Sequence, residues 1–220
     1  MRMDIQGLEN VPRTGGLITA MNHTSFLDPL FVISLVGRDV IPMAKFELLS
    51  TPVIGAWTKW YGSYFIRRGE GDVSAFKTSL QLLKRGDAIS IAVEGHRSEA
   101  GTLLRGKEGT VIIAHRSGAP ILPIAIWGSR DFKNNYKRLK RTDVHIRIGE
   151  PVLVTLSGKP TRAEFQAATD ELMALIAEML PQEWRGYYAD KGRAGKYFKL
   201  YRAVAASAAV ESKKKAVRAM

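Results

Sequence analysis

The alternation of short apolar runs with amphipathic helical patterns constrains this chain more than any other feature. The runs at Leu17–Met21, 88–93 and Ile121–Trp127 have the length of strands, and uninterrupted apolar runs are typical of parallel strands buried on both faces. Helical patterns separate or follow them, at residues 27–36, 73–85, 108–116 and 163–180. The second pattern places Val73, Phe76, Leu80 and Leu83 on one face, and Thr161 with Glu164 predicts a capping box ahead of the last helix. The alternation predicts an α/β fold with a mostly parallel or mixed central sheet flanked by helices.

Weaker patterns complete the predicted order of elements. Further strands are expected at 40–44, 62–67 and 144–148 from β-branched and aromatic content or from alternation. A helix is expected over 46–60, interrupted at Pro52. Because proline cannot donate to a strand ladder, Pro123 within an apolar run predicts an edge or bulged position that a substrate channel could use.

The chain has 220 residues, of which 45% are hydrophobic and none is cysteine. This length supports one substantial core, so we assign residues 1–180 to a single folded domain and 181–220 to a basic, aromatic-containing C-terminal extension. The absence of cysteine excludes disulfides, thiolate metal clusters and cysteine nucleophiles. No apolar run approaches the roughly 20 residues of a membrane-spanning helix, and the first residues are too polar for a signal peptide.

The formal net charge of +12 is concentrated in two segments. Residues 130–141 carry six Lys and Arg against one acidic residue, and residues 183–220 carry ten against three. A basic surface of this kind suits nucleic acid, anionic lipid headgroups or a phosphorylated substrate. Charge by itself leaves these three classes of partner open.

A histidine and an aspartate directly follow the first apolar run. His23 and Asp28 are five residues apart, a spacing at which side chains diverge on a continuous helix but can meet across a strand–turn–helix. A carboxylate that orients an imidazole makes a general base. The segment also suits a plain helix start, with Thr24 or Ser25 as the N-cap and Asp28 favoured by the helix dipole.

Two more polar segments follow predicted strands. Arg67 and Arg68 end one strand, where one of them would reach the crevice in which open α/β sheets bind ligands. An arginine suits a phosphate because its planar fork donates two hydrogen bonds. Glu94, Gly95 and Arg97 follow the second apolar run. An acidic residue and an arginine that follow the same strand at the carboxyl edge of the sheet favour a functional site over an ordinary surface. The alternatives are a solvated pair of charges and a salt-bridged turn.

Together these segments resemble the glycerolipid acyltransferase family, of the 1-acylglycerol-3-phosphate type. The likeness consists of four motifs in the family's order and spacing, matched by Asn22, His23 and Asp28, by Gly62, Phe65, Ile66 and Arg68, by Glu94, Gly95, Arg97 and Ser98, and by Pro123. The chain departs from the third motif at Ala92, Val93 and His96, so its acceptor pocket is expected to differ. Membrane-embedding helices that many members carry before the first motif have no counterpart here.

The resemblance implies an O-acyltransferase that has no metal ion or cofactor and uses acyl-CoA or acyl carrier protein as the acyl donor. His23 would take the proton of an acceptor hydroxyl, and Asp28 would orient His23. The implied acceptor is a lysophospholipid, first of all 1-acylglycerol 3-phosphate, which would give phosphatidic acid; glycerol 3-phosphate and a lyso-ornithine lipid are alternatives. Substrate-binding residues are implied at Asn22, Arg68, Glu94, Gly95, Arg97 and Lys107.

The C-terminal extension mixes basic residues with six aromatic ones, Trp184, Tyr187, Tyr188, Tyr197, Phe198 and Tyr201. Such a mixture suits the headgroup level of an anionic membrane. We therefore expect a cytoplasmic protein attached peripherally to the inner face of the membrane, through this extension and 130–141. The alternative is a solvated extension with a terminal helix packed on the core. RNA or single strands also bind such stretches, but no nucleic-acid motif accompanies this one, so nucleic acid is not an expected partner.

Overall fold

A mixed β-sheet with helices on both faces forms the centre of the molecule and confirms the predicted α/β class. The computed structural model describes residues 1–51, 55–56, 60, 62–66, 73–192 and 194–201. The strands in these residues are β1 (Arg2–Gln6), β2 (Leu17–Met21), β3 (Val40–Lys45), β4 (Tyr64–Ile66), β5 (Ala88–Ala92), β6 (Ile121–Trp127), β7 (Asp143–Ile148), β8 (Val152–Val154) and β9 (Phe198–Leu200). The helices are α1 (Asp28–Leu35), α2 (Val73–Arg85), α3 (Gly109–Ser117), α4 (Phe132–Lys137) and α5 (Arg162–Glu178).

The strand order places β2 between β5 and β6. The sheet runs β1-β7-β6-β2-β5-β3-β4, with β8 beside β6 and β9 beside β8. Strands β2 to β6 are parallel, whereas β7 is antiparallel to β6 and carries β1 parallel to itself. The chain leaves β2 toward β3 on one side of the sheet and leaves the neighbouring β6 toward β7 on the other side. In open α/β sheets ligands bind at the carboxyl ends of strands beside such a switch point.

Alternate side chains of the central strands supply two cores. On β2, Ile18 and Ala20 face the core shared with α2, α3 and α5, whereas Leu17 and Met21 face the core shared with α1. All five residues of β2 are buried, as expected for a parallel strand that is covered on both faces. The apolar runs of the sequence therefore correspond to the strands that hold the two layers of helices together.

Helix ends follow the local signals in the sequence. Thr161 caps α5 in a capping box with Glu164, which confirms the predicted start of that helix. Gly118 ends α3 in the left-handed conformation, with φ of 68°, where glycine avoids the steric cost of a Cβ. No helix within the described ranges is long and apolar enough to cross a bilayer.

Two local predictions differ from the structure. Residues Phe46–Ser50 form a 3-10 helix where an α-helix was expected to begin, and much of the remaining segment to residue 60 lies outside the described residues. Val73 was expected on the buried face of α2, but 61% of it is exposed. Ala75, Ser79 and Leu83 occupy the buried face instead, because their spacing of four residues follows the helical period.

Pro123 does not lie on an edge strand, since β6 is flanked by β2 and by β7 and β8. On the β7–β8 side the ladder is broken: Ile124 pairs with Ile148 and Ile121 with Val152, leaving two residues opposite three. The carbonyl of Pro123 accepts a hydrogen bond from Gly149 in this break, at 2.9 Å. The proline therefore occupies an irregular junction in which a missing N–H costs no regular ladder bond.

The described part of the C-terminal extension packs against the body. β9 pairs with β8, and Trp184, Tyr197 and Phe198 pack against the core cluster that includes Tyr188. Tyr188 is only 1% exposed, so the expectation that this ring faces a lipid headgroup layer is wrong; two 3-10 turns, Gln182–Trp184 and Gly186–Tyr188, fold it inward. Residues 202–220 lie outside the described residues.

Candidate active site

Three loops meet at the carboxyl edge of the sheet. The loop after β2 carries His23 and leads to Asp28, the first residue of α1; the loop after β5 carries Glu94, and the turn after β6 carries Ser129. They are neighbours because β5 and β6 flank β2 in parallel. The sequence separates Asp28 from Ser129 by 101 residues, yet their side chains form a hydrogen bond.

The structure brings the predicted His23–Asp28 pair together. His23 Nδ1 lies 3.2 Å from Asp28 Oδ2, the His23 side chain is 17% exposed, and that of Asp28 is fully buried. With Nδ1 facing the carboxylate, Nε2 is the ring nitrogen left to meet a substrate. An imidazole held in this way can accept a proton from a hydroxyl group.

Asp28 also organises the loop that carries His23. Its Oδ2 accepts hydrogen bonds from the backbone N–H groups of Thr24 and Ser25, both at 2.7 Å, and its Oδ1 accepts one from Ser129 Oγ at 2.6 Å. These three donors satisfy the buried carboxylate, which would be costly to bury without hydrogen bonds. The predicted N-cap at Thr24 or Ser25 is wrong, since Leu27 occupies that position and no side chain caps α1. Asp28 is nevertheless in the first turn of α1, so its place at the helix start is compatible with its contact to the imidazole.

Asn22 and Glu94, expected among the substrate-binding residues, are bonded to backbone and buried. The Asn22 amide donates to the Ile126 carbonyl and accepts from the Ile126 N–H, both at 2.8 Å, which joins the end of β2 to β6. Glu94 accepts from the N–H groups of His23 and Leu104, both at 2.9 Å. Their exposures of 2% and 0% leave no surface for a substrate, so the structure does not place either side chain as a substrate contact.

Burial raises the pKa of Glu94 from 4.5 to about 7. The two backbone N–H donors oppose this shift, and the negative charge of Asp28 adds to it. The pKa of Glu94 thus falls close to neutral pH because desolvation of the carboxylate outweighs its two hydrogen bonds. A buried carboxyl of this kind beside a candidate base is typical of functional sites.

Gly95 and Lys107 lie against each other. Gly95 has φ of 76°, and a Cβ on this residue would lie 2.8 Å from Lys107 Cδ. The Lys107 N–H donates to the Val93 carbonyl at 2.9 Å. The absence of a side chain at Gly95 therefore lets the aliphatic part of Lys107 cross the loop, while the lysine itself remains exposed.

Of the two arginines predicted to bind phosphate, the structure describes Arg97 but not Arg68. Arg97 and its neighbour His96 are exposed after β5, and Arg97 forms no ion pair with the carboxylates that the structure describes. Arg68 lies outside the described residues, two positions beyond the end of β4 at Ile66. Arg97 and Lys107 are thus the predicted cationic ligands placed by the structure.

Two serines hold the site together, and sequence reasoning gave neither a role. Ser129 donates to Asp28, and the Ser98 N–H donates to the His23 carbonyl at 2.8 Å. Ser98 Oγ also donates to the Thr102 carbonyl at 2.6 Å. Ser98 belongs to the third motif, which could have indicated it, whereas the only sequence signal for Ser129 is its position after an apolar run.

The fold and the His23–Asp28 pair define an α/β protein equipped to activate a hydroxyl group at the carboxyl edge of its sheet. A sequence model of the acyltransferase family matches residues 2–127, more than half of the chain. The chain therefore belongs to the acyltransferase family. This agrees with the resemblance to glycerolipid acyltransferases seen in the four motifs.

Relatives of the chain carry one activity in their names. This chain is 29% identical to the 1-acyl-sn-glycerol-3-phosphate acyltransferase of Bacillus subtilis (strain 168), over 78% of this chain and 84% of that protein. It is 31% identical to a chloroplastic enzyme of the same name from Brassica napus, over 69% of this chain but 45% of that protein. Enzymes of this name are O-acyltransferases.

A solved structure shares the fold. The crystal structure of the 1-acyl-sn-glycerophosphate acyltransferase from Thermotoga maritima superposes with a TM-score of 0.59 and 25% identity. The alignment covers 78% of this chain and 68% of that one. The α/β class expected from the sequence is therefore that of a solved acyltransferase.

Proposed function

We propose that this O-acyltransferase moves a fatty acyl chain from acyl-CoA or acyl carrier protein to the free hydroxyl of 1-acylglycerol 3-phosphate, giving phosphatidic acid. The observation that carries the proposal is the His23–Asp28 pair, 3.2 Å apart at the carboxyl edge of β2, in a chain whose relatives are named for this reaction. The names of the relatives support this acceptor, and the geometry of the pair supports His23 as the proposed base.

The pair supports direct transfer without an acyl-enzyme. His23 Nε2 takes the proton of the acceptor hydroxyl while its oxygen attacks the thioester carbonyl carbon. The C–S bond then breaks, and the leaving thiolate takes the proton from the imidazolium, so that His23 returns to its starting state. Asp28 holds the ring and stabilises the transient positive charge. Binding the hydroxyl beside the thioester replaces a covalent intermediate by proximity.

Exposed cations near His23 support a phosphorylated acceptor. Arg97 and Lys107 follow Glu94 on the loop after β5. This loop is hydrogen-bonded to the His23 backbone by the Glu94 side chain and by the Ser98 N–H. A phosphate held by these cations would be bound by the same loop that is hydrogen-bonded to the proposed base. Arg68 is proposed as a third phosphate ligand from its place in the second motif. Glu94, Gly95 and Asn22 are proposed to act by positioning these loops.

The acceptor is a lipid, so the protein is proposed to work at the surface of an anionic membrane, attached peripherally from the cytoplasmic side. The basic composition of 130–141 and 183–220 supports this attachment. Liposome sedimentation of the full chain, with and without residues 202–220, measures how much the terminal basic residues contribute to membrane binding.

Acyl transfer by the purified chain to a panel of acceptors tests the proposal. The panel contains lysophosphatidic acid, glycerol 3-phosphate and a lyso-ornithine lipid, each with an acyl-CoA and an acyl carrier protein donor, and His23→Ala is the matched control. We expect phosphatidic acid as the main product, formed only with His23 present. Preference for another acceptor would replace the proposed substrate, and equal rates with His23→Ala would overturn the mechanism.

A further inference from the structure

An exposed aromatic and basic surface lies next to the candidate active site. Its apolar members are Phe26, Tyr136 and Leu139, which are 51%, 71% and 95% exposed. Its basic members, all exposed, are Lys133, Lys137, Arg138, Lys140 and Arg141. We call these residues the docking patch. Apolar side chains exposed within a basic cluster are typical of surfaces that meet a partner rather than water.

Leu139 occupies a conformation that leucine avoids. It follows the end of α4 with φ of 52°, the only positive φ of a non-glycine residue in the described ranges. Lys140 N–H donates to the Asn135 carbonyl and Leu139 N–H to the Tyr136 carbonyl, the bonds of a Schellman motif. Glycine usually fills this position. A leucine here is therefore unfavourable in water both for its backbone and for its exposed side chain, which indicates an apolar contact outside the described chain.

The basic residues of the docking patch are available to a partner. None of them forms an ion pair with a carboxylate in the described part of the chain. The charge is unbalanced locally, since Asp131 is the one acidic residue in 130–141. Unpaired basic residues around apolar tips complement an anionic bilayer, in which headgroups meet the charges and the hydrocarbon boundary meets Tyr136 and Leu139.

Three contacts join the docking patch, and the residues that lead into α4, to the loops of the candidate active site. Ser129, three residues before α4, donates to Asp28 at 2.6 Å. Arg130 donates to the Ala100 carbonyl on the loop after β5, also at 2.6 Å. The rings of Phe26, from the loop of His23, and Phe132 meet edge to face at 6.5 Å. A surface bound by the patch is thereby fixed relative to both loops of the site.

We propose that the docking patch inserts Leu139 and Tyr136 into the surface of an anionic lipid bilayer and so places the loop of His23 against the membrane. The proposal rests on the proposed function for its biological purpose, because a lysophospholipid acceptor lies in that surface. It assigns the attachment to α4 and the turn after it, a part of the chain distinct from the terminal residues 202–220.

Sedimentation with lipid vesicles tests the patch directly. The full chain is mixed with vesicles of phosphatidylcholine, with or without phosphatidylglycerol. We expect binding only with the anionic lipid, weakened about tenfold by Leu139→Gly and roughly 30-fold by the pair Lys137→Gln and Lys140→Gln. Leu139→Gly suits the left-handed backbone, so its thermal stability is expected to equal or exceed that of the parent, which excludes unfolding as the cause. The control pair, Lys84→Gln and Lys159→Gln, removes two exposed charges elsewhere.

Acyl transfer separates this proposal from the proposed function. With a short-chain lysophosphatidic acid dissolved below its aggregation concentration, Leu139→Gly is expected to match the parent, whereas transfer to acceptor embedded in vesicles falls about tenfold. Vesicle binding that is unchanged by all patch variants, or binding of single-stranded RNA in place of vesicles, would overturn the docking patch. Loss of vesicle binding in variants of a chain without acyl-transfer activity would support the patch and overturn the proposed function.

Discussion

Glu94 Oε1 accepts a hydrogen bond of 2.9 Å from the backbone N–H of His23. The other carboxylate oxygen accepts from Leu104 at the same distance. One buried side chain thus connects the residue proposed as the base with the loop that leads to Lys107. Because both donors are backbone groups, Glu94 fixes the path of the backbone through the site. It does not fix the rotamer of a side chain that would bind substrate.

The raised pKa of Glu94 predicts a specific pH dependence of stability. Below its unfolded pKa of 4.5 the carboxyl is protonated in both states; between 4.5 and about 7 the unfolded chain loses the proton and the folded chain keeps it. Stability therefore falls as pH rises through this window, by roughly 3 kcal/mol in total. We expect the unfolding free energy of the parent to fall by about that amount relative to that of Glu94→Gln, which carries no titrating group at this position, from pH 4 to pH 8. If the unfolding free energies of the two proteins, measured by urea unfolding, change with pH in parallel, the raised pKa of Glu94 is contradicted.

Changes at His23 and Asp28 are predicted to separate activity from stability. His23→Ala removes the proposed base, so transfer should fall about 10²–10⁴-fold with little change in unfolding free energy. Asp28→Ala should be as inactive, and should also cost about 3–5 kcal/mol, because it leaves the Thr24 and Ser25 N–H groups and the Ser129 hydroxyl without their acceptor. Thermal unfolding and acyl transfer of both variants check this. A fully stable Asp28→Ala would show that the loop does not depend on this carboxylate.

Ser129 is predicted to act through Asp28. Ser129→Ala removes a hydrogen bond to a buried carboxylate and should cost about 1.5–3 kcal/mol. It should lower kcat more than it changes KM for the acceptor, because Ser129 orients the carboxylate rather than the substrate. Ser117→Ala is a matched control, since that hydroxyl donates only to backbone carbonyls at the end of α3. If the two variants behave alike, the Ser129–Asp28 bond is dispensable.

The sequence predicts the sheet and the catalytic pair because their signals are local. β2 and β6 are apolar runs broken only by Thr19 and Pro123, and His23 and Asp28 are five residues apart. Ser129 could not be assigned in this way, since its contact with Asp28 depends on which strands become neighbours. Strand order is a long-range property of the packed sheet, and a single sequence read by periodicity does not specify it.

Side-chain direction explains the other differences. Tyr188 lies among basic residues, a composition that suggested a membrane surface, yet the turn at Gly186–Tyr188 directs its ring into the core. Asn22 lies in the first motif beside His23, yet its amide completes the hydrogen bonding of Ile126 where β2 ends. The direction of the Tyr188 ring depends on a local turn, whereas that of the Asn22 amide depends on backbone groups 104 residues away in the sequence.

The packing of Tyr188 predicts that the C-terminal extension is required for the site. Its hydroxyl accepts from the Gly106 N–H at 3.0 Å and donates to Asp170 at 2.8 Å, and it thereby ties α5 to the loop whose Leu104 N–H donates to Glu94. Tyr188→Phe should cost about 1–3 kcal/mol and lower acyl transfer, whereas Tyr187→Phe, which changes an exposed ring, should do neither.

A chain that ends at residue 201 should fold, and one that ends at 180 should lose cooperative unfolding, because it lacks both Tyr188 and β9. Circular dichroism melting of the two truncated chains checks this, and a stable, active chain of residues 1–180 would show that the extension is an independent addition to the domain.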